Sequence, residues 1–228
     1  MDWKSRYAQR VEMFRKNPLV TSVQFRPSRG LGAQAARRTR ILDRIKRDWQ
    51  LTVPPDILAF YDAMNGLELI WESTASSPYA SRSVSRLSSL EVMFGGHWGM
   101  KAPTWSPAVF SGTFFQPWQE EDGCDLSLPK SCKHVEGIEG VSSDVGVVLG
   151  GDESVVYVTS KLDFHRLTLD LPAFLEHHLM FLGHSCWYYL FVERPRPWML
   201  NSVHPDSMIT LFPDMAPLLS ARRAALGL

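Results

Sequence analysis

The first candidates for catalysis in this chain are His97, Cys124, His134 and Asp152. An enzyme needs a nucleophile, a general base and an orienting group that meet in space. The chain carries no G-x-S-x-G, P-loop or H-E-x-x-H pattern that would bring such groups together by local sequence. We therefore expect no catalytic site. A deep pocket that gathered these four residues would instead indicate an enzyme.

Histidine and cysteine also bind metal ions, so their spacing decides whether a metal site is expected. Cys124, Cys132 and His134 share one polar stretch, but no C-x-x-C pair anchors them. His177 and His184 are seven positions apart. On one helix that spacing is about 10.5 Å of rise, which is too far for two ligands of one zinc ion. We expect neither a metal nor another cofactor.

Two further features have simpler structural explanations. His178 lies on the apolar face of a predicted helix, so we expect it to be a hydrogen-bonded residue of the core. Residues 95–99, GGHWG, lack the Lys-Ser/Thr pair of a phosphate-binding loop and therefore indicate a turn.

Binding of another protein is better supported than catalysis, because acidic and aromatic residues concentrate between positions 105 and 153. Tryptophan is enriched at interface hot spots, and carboxylates steer a cationic partner. For any single residue, core packing or solvation is the simpler explanation, so the argument is collective. The candidate partner-binding residues are Trp105, Trp118, Glu120, Glu121, Asp122, Asp125, Asp152 and Glu153.

The net charge of zero conceals an uneven distribution. Residues 1–50 hold 13 Lys and Arg against 4 Asp and Glu, residues 51–193 hold 7 against 18, and residues 194–228 hold 4 against 2. The neutral total excludes a strongly basic nucleic-acid binder, and we expect no direct contact with nucleic acid. The arginines from Arg37 to Arg47 either clamp the acidic region within the molecule or face an anionic partner.

The sequence also bears on the compartment. The longest apolar stretch, Leu171 to Val192, is interrupted by polar residues and falls short of the ~18–20 apolar residues that cross a bilayer. The N-terminus lacks the apolar region of a signal peptide. Three cysteines are too few for a disulfide scaffold. We expect a cytoplasmic protein with no membrane contact.

Hydrophobic periodicity predicts an α+β fold. The clearest element lies within residues 51–66, where Pro54 and Pro55 open a short helix and Asn65-Gly66 supplies a left-handed stop. Further helices are predicted over 34–49, from Asp170 to Leu182 and near 214–226. Strands are predicted at Val20–Phe25 and Leu67–Trp71, and a meander of three at 145–149, 154–158 and 165–169.

Three stretches carry weaker patterns. Residues 73–89 contain eight serines, which predicts a long loop or a frayed edge. Aromatic residues and turn formers alternate over 90–118, which favours short strands joined by turns. Residues 119–144 are predicted to be a polar, acidic connection.

The order of these elements resembles the SUKH superfamily of Smi/Knr-like domains. The signature residues are Pro54, Pro55, Asn65, Gly66, Trp71, Tyr157 and Phe174. The resemblance covers residues 34–192. It implies a single SUKH-like domain, in which a mostly antiparallel meander is flanked by helices. Residues 1–33 would then be an N-terminal extension, and residues 193–228 a C-terminal extension packed on the domain.

The resemblance also implies a function. Many bacterial members of the superfamily are immunity proteins, which neutralise a cognate secreted toxin by direct protein contact. We therefore expect a cytoplasmic immunity protein whose partner is a toxin with a basic surface. The alternative is a regulatory scaffold of the same fold without a toxin partner. An enzyme whose residues converge only in three dimensions is the third possibility.

Overall fold

Seven strands form one antiparallel sheet in the computed structural model, which describes residues 2–74, 81–94, 133–138, 144–150, 153–160, 163–203 and 205–227. Each strand pairs with the next one along the chain, so the order is that of a meander. The α+β class and the mostly antiparallel meander are confirmed. The strands are β1 (Val20–Pro27), β2 (Leu67–Ser73), β3 (Arg82–Leu87), β4 (Lys133–Ile138), β5 (Asp144–Gly150), β6 (Glu153–Ser160) and β7 (Asp163–Arg166).

Helices precede, interrupt and follow the sheet along the chain. They are α1 (Trp3–Arg15), α2 (Ala35–Trp49), α3 (Pro55–Ala63), α4 (Leu90–Met93), α5 (Leu171–Phe181), α6 (Pro197–Val203), α7 (Pro205–Leu211) and α8 (Ala216–Leu226). Short 3-10 turns lie at Leu31–Ala33, Trp187–Phe191 and Pro213–Met215. The predicted helices at 34–49, 51–66, 170–182 and 214–226 are therefore present, whereas α1, α4, α6 and α7 were not predicted.

The core lies between one face of the sheet and the helices α1, α3 and α5. Alternation along β2 buries Leu67, Leu69 and Trp71, and Val156 and Val158 extend the same apolar face on β6. The buried indole of Trp71 donates its Nε1–H to the carbonyl oxygen that follows α5, at 2.9 Å. A large aromatic side chain is thus held without leaving its polar atom unsatisfied.

The prolines and the Asn-Gly pair around α3 have separate roles. Pro55 occupies the first helical position, as predicted, whereas Pro54 lies just before the helix at the N-cap position. The helix ends at Ala63, and the left-handed residue, Gly66 with φ +92°, lies at the start of β2 rather than at the helix end. A Cβ at Gly66 would lie 2.7 Å from the carbonyl oxygen of Leu87. Glycine therefore allows the close approach of β2 to the end of β3.

The prediction of a loop over residues 73–89 is wrong for Arg82–Leu87, which forms β3. Two of its serines face the core, where each has a polar partner. Ser83 Oγ donates to the carbonyl oxygen of Gly183, and Ser85 Oγ lies 2.7 Å from Nε2 of His178. Small polar residues on the buried face hide the apolar alternation by which a strand is recognised.

Two other predictions need correction. Short strands were predicted over 90–118, but residues Leu90–Met93 form α4, whose first turn is capped by the side chain of Ser89. The rest of that stretch lies outside the described residues. Within the predicted connection over 119–144, Lys133–Ile138 forms β4 and β5 begins at Asp144. Residues 119–132 lie outside the described part of the chain.

The chain termini contribute to the same body. Residues 1–33 supply α1 and β1, and β1 pairs with β2 along its length. Near the C-terminus, Leu219 of α8 is buried, and Arg222 donates two hydrogen bonds to the carbonyl oxygen of Leu190. The division into 1–33, 34–192 and 193–228 stays a prediction, since these contacts do not locate a domain boundary.

Candidate functional site

Most of the predicted site residues lie outside the described part of the chain. Of the eight candidate partner-binding residues, only Glu153 falls in a described element, as the first residue of β6, and its side chain is not described. Trp105, Trp118, Glu120, Glu121, Asp122, Asp125 and Asp152 are outside the described residues, as are His97, Cys124 and Cys132. His134 belongs to β4, but its side chain is not described. These assignments stay predictions.

The structure describes all seven signature residues and separates them by role. Trp71 and Phe174 are fully buried core residues. Tyr157 is half-buried on the opposite face of β6 from Val156 and Val158. Pro54 lines a cleft. The remaining signature residues are Pro55, which begins α3, and Asn65 and Gly66, which shape the start of β2.

The cleft that Pro54 lines has a volume of about 570 Å³. It lies where the first turns of α3 and α5 meet the beginning of β6 and the residues that follow β7. Two helices therefore begin at one concavity. We call it the helix-start cleft, and its charged lining residues are Asp56, Arg166, Asp170 and Glu193.

Local sequence explains why α5 begins at this cleft. The carboxylate of Asp170 caps the helix by accepting the backbone N–H of Ala173 at 2.8 Å. The hydroxyl oxygen of Ser154, on β6, accepts the N–H of Leu171 at 2.9 Å. Pro172 follows in the first turn, where its missing N–H costs nothing. The helix start is thereby fixed to the beginning of β6.

Most of the described carboxylates in the acidic region form an ion pair with an arginine, and two do not. The structure describes eight carboxylate side chains from residues 51–193, and six of them have an arginine partner within 4.0 Å: Asp62, Glu68, Glu72, Glu91, Glu176 and Glu193. Within the described part of the chain, Asp56 and Asp170 have no cationic partner. Both are exposed, and both line the helix-start cleft.

Arginines of residues 1–50 pair with half of the eight carboxylates that are described in residues 51–193. Four of the six pairs are made from residues 1–50: Arg6 with Glu176, Arg26 with Glu68, Arg37 with Glu91, and Arg38 with Asp62. Hydrogen bonding to Asp62 is the main cause of the raised pKa of Arg38. Of the two interpretations of the basic helix, the intramolecular clamp therefore describes Arg37 and Arg38.

The helix-start cleft carries three carboxylates against one guanidinium. Arg166 and Glu193 pair at 3.1 Å, so the excess negative charge lies on Asp56 and Asp170. The positive ends of the α3 and α5 dipoles, each equivalent to about half a charge, partly offset it. A cation that approaches the cleft still meets two carboxylates without a protein counter-ion among the described residues.

The histidines beyond the cleft have structural surroundings. His178 is fully buried, with the Tyr7 hydroxyl 2.7 Å from Nδ1 and the Ser85 hydroxyl 2.7 Å from Nε2. The prediction of a hydrogen-bonded core histidine is therefore confirmed. Burial lowers the pKa of His177. No group of three or more potential ligands among the described side chains is arranged to hold a metal ion.

Cys186 is the free cysteine among the described residues, and it is buried. Burial raises the pKa of its thiol to about 12. A thiol with that pKa remains protonated near neutral pH and is a poor nucleophile.

Sequence reasoning did not assign Asp56 or Asp170 to a site. Asp170 was recognised only as the first residue of a predicted helix. Their partial signal was the shared pattern of a carboxylate within two residues of a proline at two helix starts. Their proximity across one cleft depends on the packing of α3 against α5, which no local pattern encodes.

Comparison of the chain with known protein families, with curated proteins and with solved structures gave no match. Within the described residues, the protein has an α+β fold with a seven-stranded meander, and its cleft is acidic. The resemblance to SUKH domains stays an expectation from the signature residues and the order of elements. Among the described residues, no helix has both the length and the apolar character that crossing a membrane requires.

Proposed function

We propose that this protein is a cytoplasmic immunity protein that neutralises a cognate toxin by binding it, and that the helix-start cleft receives a basic group of the toxin. The observation that carries the proposal is the position of the two carboxylates without an arginine partner, Asp56 and Asp170, in one cleft. The resemblance to the SUKH superfamily supports a toxin as the partner.

Electrostatics favour a lysine or arginine side chain as the group that enters the cleft. A cation that hydrogen-bonds a carboxylate contributes about 1.5–3 kcal/mol, and steering by uncompensated charge raises the association rate. The cleft volume of about 570 Å³ leaves room for a long side chain and the backbone around it. Paired carboxylates elsewhere would first have to release an arginine, which makes them poorer sites for a basic partner.

The polar groups of the cleft support binding over catalysis. The hydroxyl of Ser154 accepts the N–H of Leu171, and the hydroxyl of Thr168 donates to the carbonyl oxygen of Phe191 at 3.2 Å. The described lining residues include neither a histidine nor a cysteine that could activate these hydroxyls. A nucleophile with a general base is therefore not assembled from them.

Co-expression with a toxin encoded beside the gene tests the proposal. The native chain is expected to restore growth and to bind the toxin with an affinity that falls as salt rises. The double variant Asp56→Asn/Asp170→Asn should bind about 10- to 100-fold more weakly. Asparagine at position 170 still caps α5, so the fold is retained. Glu72→Gln is the matched control, because Glu72 is exposed but does not line the cleft.

Two results would contradict the proposal in different ways. If the double variant bound the toxin as tightly as the native chain, the assignment of the cleft would be wrong. If the native chain neither bound nor neutralised the toxin, the immunity function would be wrong. A phenotype of gene deletion in cells that lack the toxin would then favour the alternative, a regulatory scaffold.

A further inference from the structure

A second pocket, of about 460 Å³, lies at one end of the sheet, where β1 and β3 end and β2 begins. We call it the strand-end pocket. Arg26 and Ser28 contribute from the end of β1, Glu68 from β2, Arg86 from β3, and Ser89 from the turn before α4. None of these residues lines the helix-start cleft, so the pocket is a separate feature of the molecule.

Strand register places three charged side chains of the pocket in one row. Arg26 is paired with Glu68 across β1 and β2, and Glu68 with Arg86 across β2 and β3. The Oε2 atom of Glu68 accepts a hydrogen bond from Arg26 at 2.8 Å, and its Oε1 atom accepts one from Arg86 at 2.9 Å. One carboxylate thus holds two guanidinium groups.

The row is partly removed from water. The side chains of Glu68 and Arg86 are only 25% and 22% exposed. Burial of the Glu68 carboxyl raises its pKa, but hydrogen bonds from Arg86 and Arg26 more than offset that effect and hold the pKa below its usual value. Glu68 therefore stays ionised near neutral pH and fixes the positions of both arginines. Charge at such a site is screened less than charge on an open surface.

Hydrogen-bond donors without an acceptor surround the same pocket. Arg26 uses its two terminal nitrogens for Glu68 and Gln24, and its Nε–H has no acceptor among the described residues. The hydroxyl of Ser28 has no hydrogen-bond partner there either. The hydroxyl oxygen of Ser89 accepts the N–H of Val92 at 3.3 Å, which leaves its proton available to donate. An acceptor with several lone pairs is the complementary ligand group.

Five further residues line the pocket: Leu67, Leu87 and Val92 are apolar, and Asn65 and Ser88 are polar. Leu67 and Leu87 belong to the core and are each only 4% exposed, so the apolar side chain that a ligand can reach is the half-buried Val92. Ligand pockets of this kind, about 300–1,000 Å³ in volume, combine apolar walls with a few polar groups that fix the orientation of the ligand. A single inorganic anion would leave most of the 460 Å³ unfilled. An anionic group attached to a small apolar body fits both parts of the lining.

We propose that the strand-end pocket binds a small organic oxyanion, either a carboxylate or a phosphomonoester. Its anionic group lies against Arg26, Arg86 and the two serine hydroxyls, and its apolar body lies against Val92. The proposal does not depend on the immunity function, because it involves a different pocket and a ligand of opposite charge.

Calorimetric titration of the full chain with benzoate and with phenyl phosphate tests the proposal. The two probes share an apolar ring and differ in the oxyanion, so the tighter of the two identifies the ligand class. At least one should bind with 1:1 stoichiometry, and its affinity should fall with added salt. Arg26→Gln should weaken binding by about tenfold or more, since it removes a charged donor. The side chain of Arg26 is 63% exposed, so this variant is expected to fold.

Arg223→Gln is the matched control, since Arg223 pairs with Asp206 far along the chain and does not line the pocket. It should bind the probe as the native chain does. Absence of saturable binding by both probes would overturn the proposal, as would equal affinities of the native chain and Arg26→Gln. Benzyl alcohol, which has the ring but no charge, should not bind detectably, and an affinity equal to that of benzoate would refute the role of the oxyanion.

Discussion

Removal of Arg37 should destabilise the protein much more than removal of its neighbour Arg38. Arg37 pairs with Glu91, whose side chain is 3% exposed, and its Nε–H lies 2.7 Å from the carboxylate. Loss of one partner leaves a buried charge without compensation, which typically costs 3–5 kcal/mol. Because the Arg37 side chain is 29% exposed and Asn65 continues to donate to Glu91, we expect about 3 kcal/mol for Arg37→Ala.

Arg38 supplies a matched comparison on the same helix. It pairs with Asp62 at 2.7 Å, but the two side chains are 34% and 30% exposed. Water screens such a pair, and the freed carboxylate can be solvated after the arginine is removed. We expect Arg38→Ala to cost at most about 1 kcal/mol. The free energy of unfolding in urea, measured by circular dichroism for both variants, gives the comparison.

The effect of Glu91→Gln on the free energy of unfolding should change sign when Arg37 is absent. In the native chain Glu91→Gln weakens the ion pair and should lower the free energy of unfolding. In the Arg37→Ala variant the same change removes an unpaired buried charge, so it should raise that free energy. Equal costs for Arg37→Ala and Arg38→Ala would refute the argument from burial. Destabilisation by Glu91→Gln in both backgrounds would refute the clamp itself.

Three other predictions concern the core. Tyr7→Phe removes the hydroxyl 2.7 Å from Nδ1 of His178 and should lower the free energy of unfolding by about 1–3 kcal/mol, measured in urea. Burial lowers the pKa of His177 below its ordinary value of 6.5, so the unfolded chain binds more protons than the folded one near and below that pH. The free energy of unfolding should therefore fall as the pH drops from about 7 to 5. His177→Gln should remove that part of the dependence of the free energy of unfolding on pH. A Cβ at Gly30 would lie 2.2 Å from a backbone oxygen of α3, whereas a Cβ at Gly32 would lie 3.0 Å from one. Gly30→Ala should therefore lower the free energy of unfolding by about 2 kcal/mol, which is more than Gly32→Ala should. Thermal unfolding of the two variants gives the comparison.

The sequence predicted those helices and strands whose own residues carry the hydrophobic periodicity or the start and stop residues of the element. Helix α3 has prolines at its start and an apolar stripe along its length, and the meander of β5 to β7 alternates as strands do. Strand β3 lacked such a signal, because its buried serines depend on partners about 100 residues away, at His178 and Gly183. A buried polar residue is compatible with a strand only when the partner is known. The missed elements are those that tertiary contacts specify.

The helix-start cleft was hidden for a related reason. Composition showed that residues 51–193 are acidic, but it could not show which carboxylates are neutralised. Glu68 and Glu91 belong to the same acidic excess as Asp56, yet arginines from residues 1–50 pair with both. Only the fold distinguishes a paired carboxylate from an unpaired one.

The basic N-terminal region and the acidic region therefore form one electrostatic design rather than two surfaces of opposite sign. Arginines that clamp four carboxylates remove sites at which a cationic partner would otherwise bind without specificity. Among the described side chains of residues 51–193, the two carboxylates without an arginine lie at helix starts, where the dipoles of α3 and α5 stabilise their negative charge in the free protein. A partner that bound the cleft as proposed would have to satisfy two fixed carboxylates at once, which selects for geometry as well as for charge. Because arginines pair with six of the eight carboxylates described in residues 51–193, that selection is available in a chain of zero net charge.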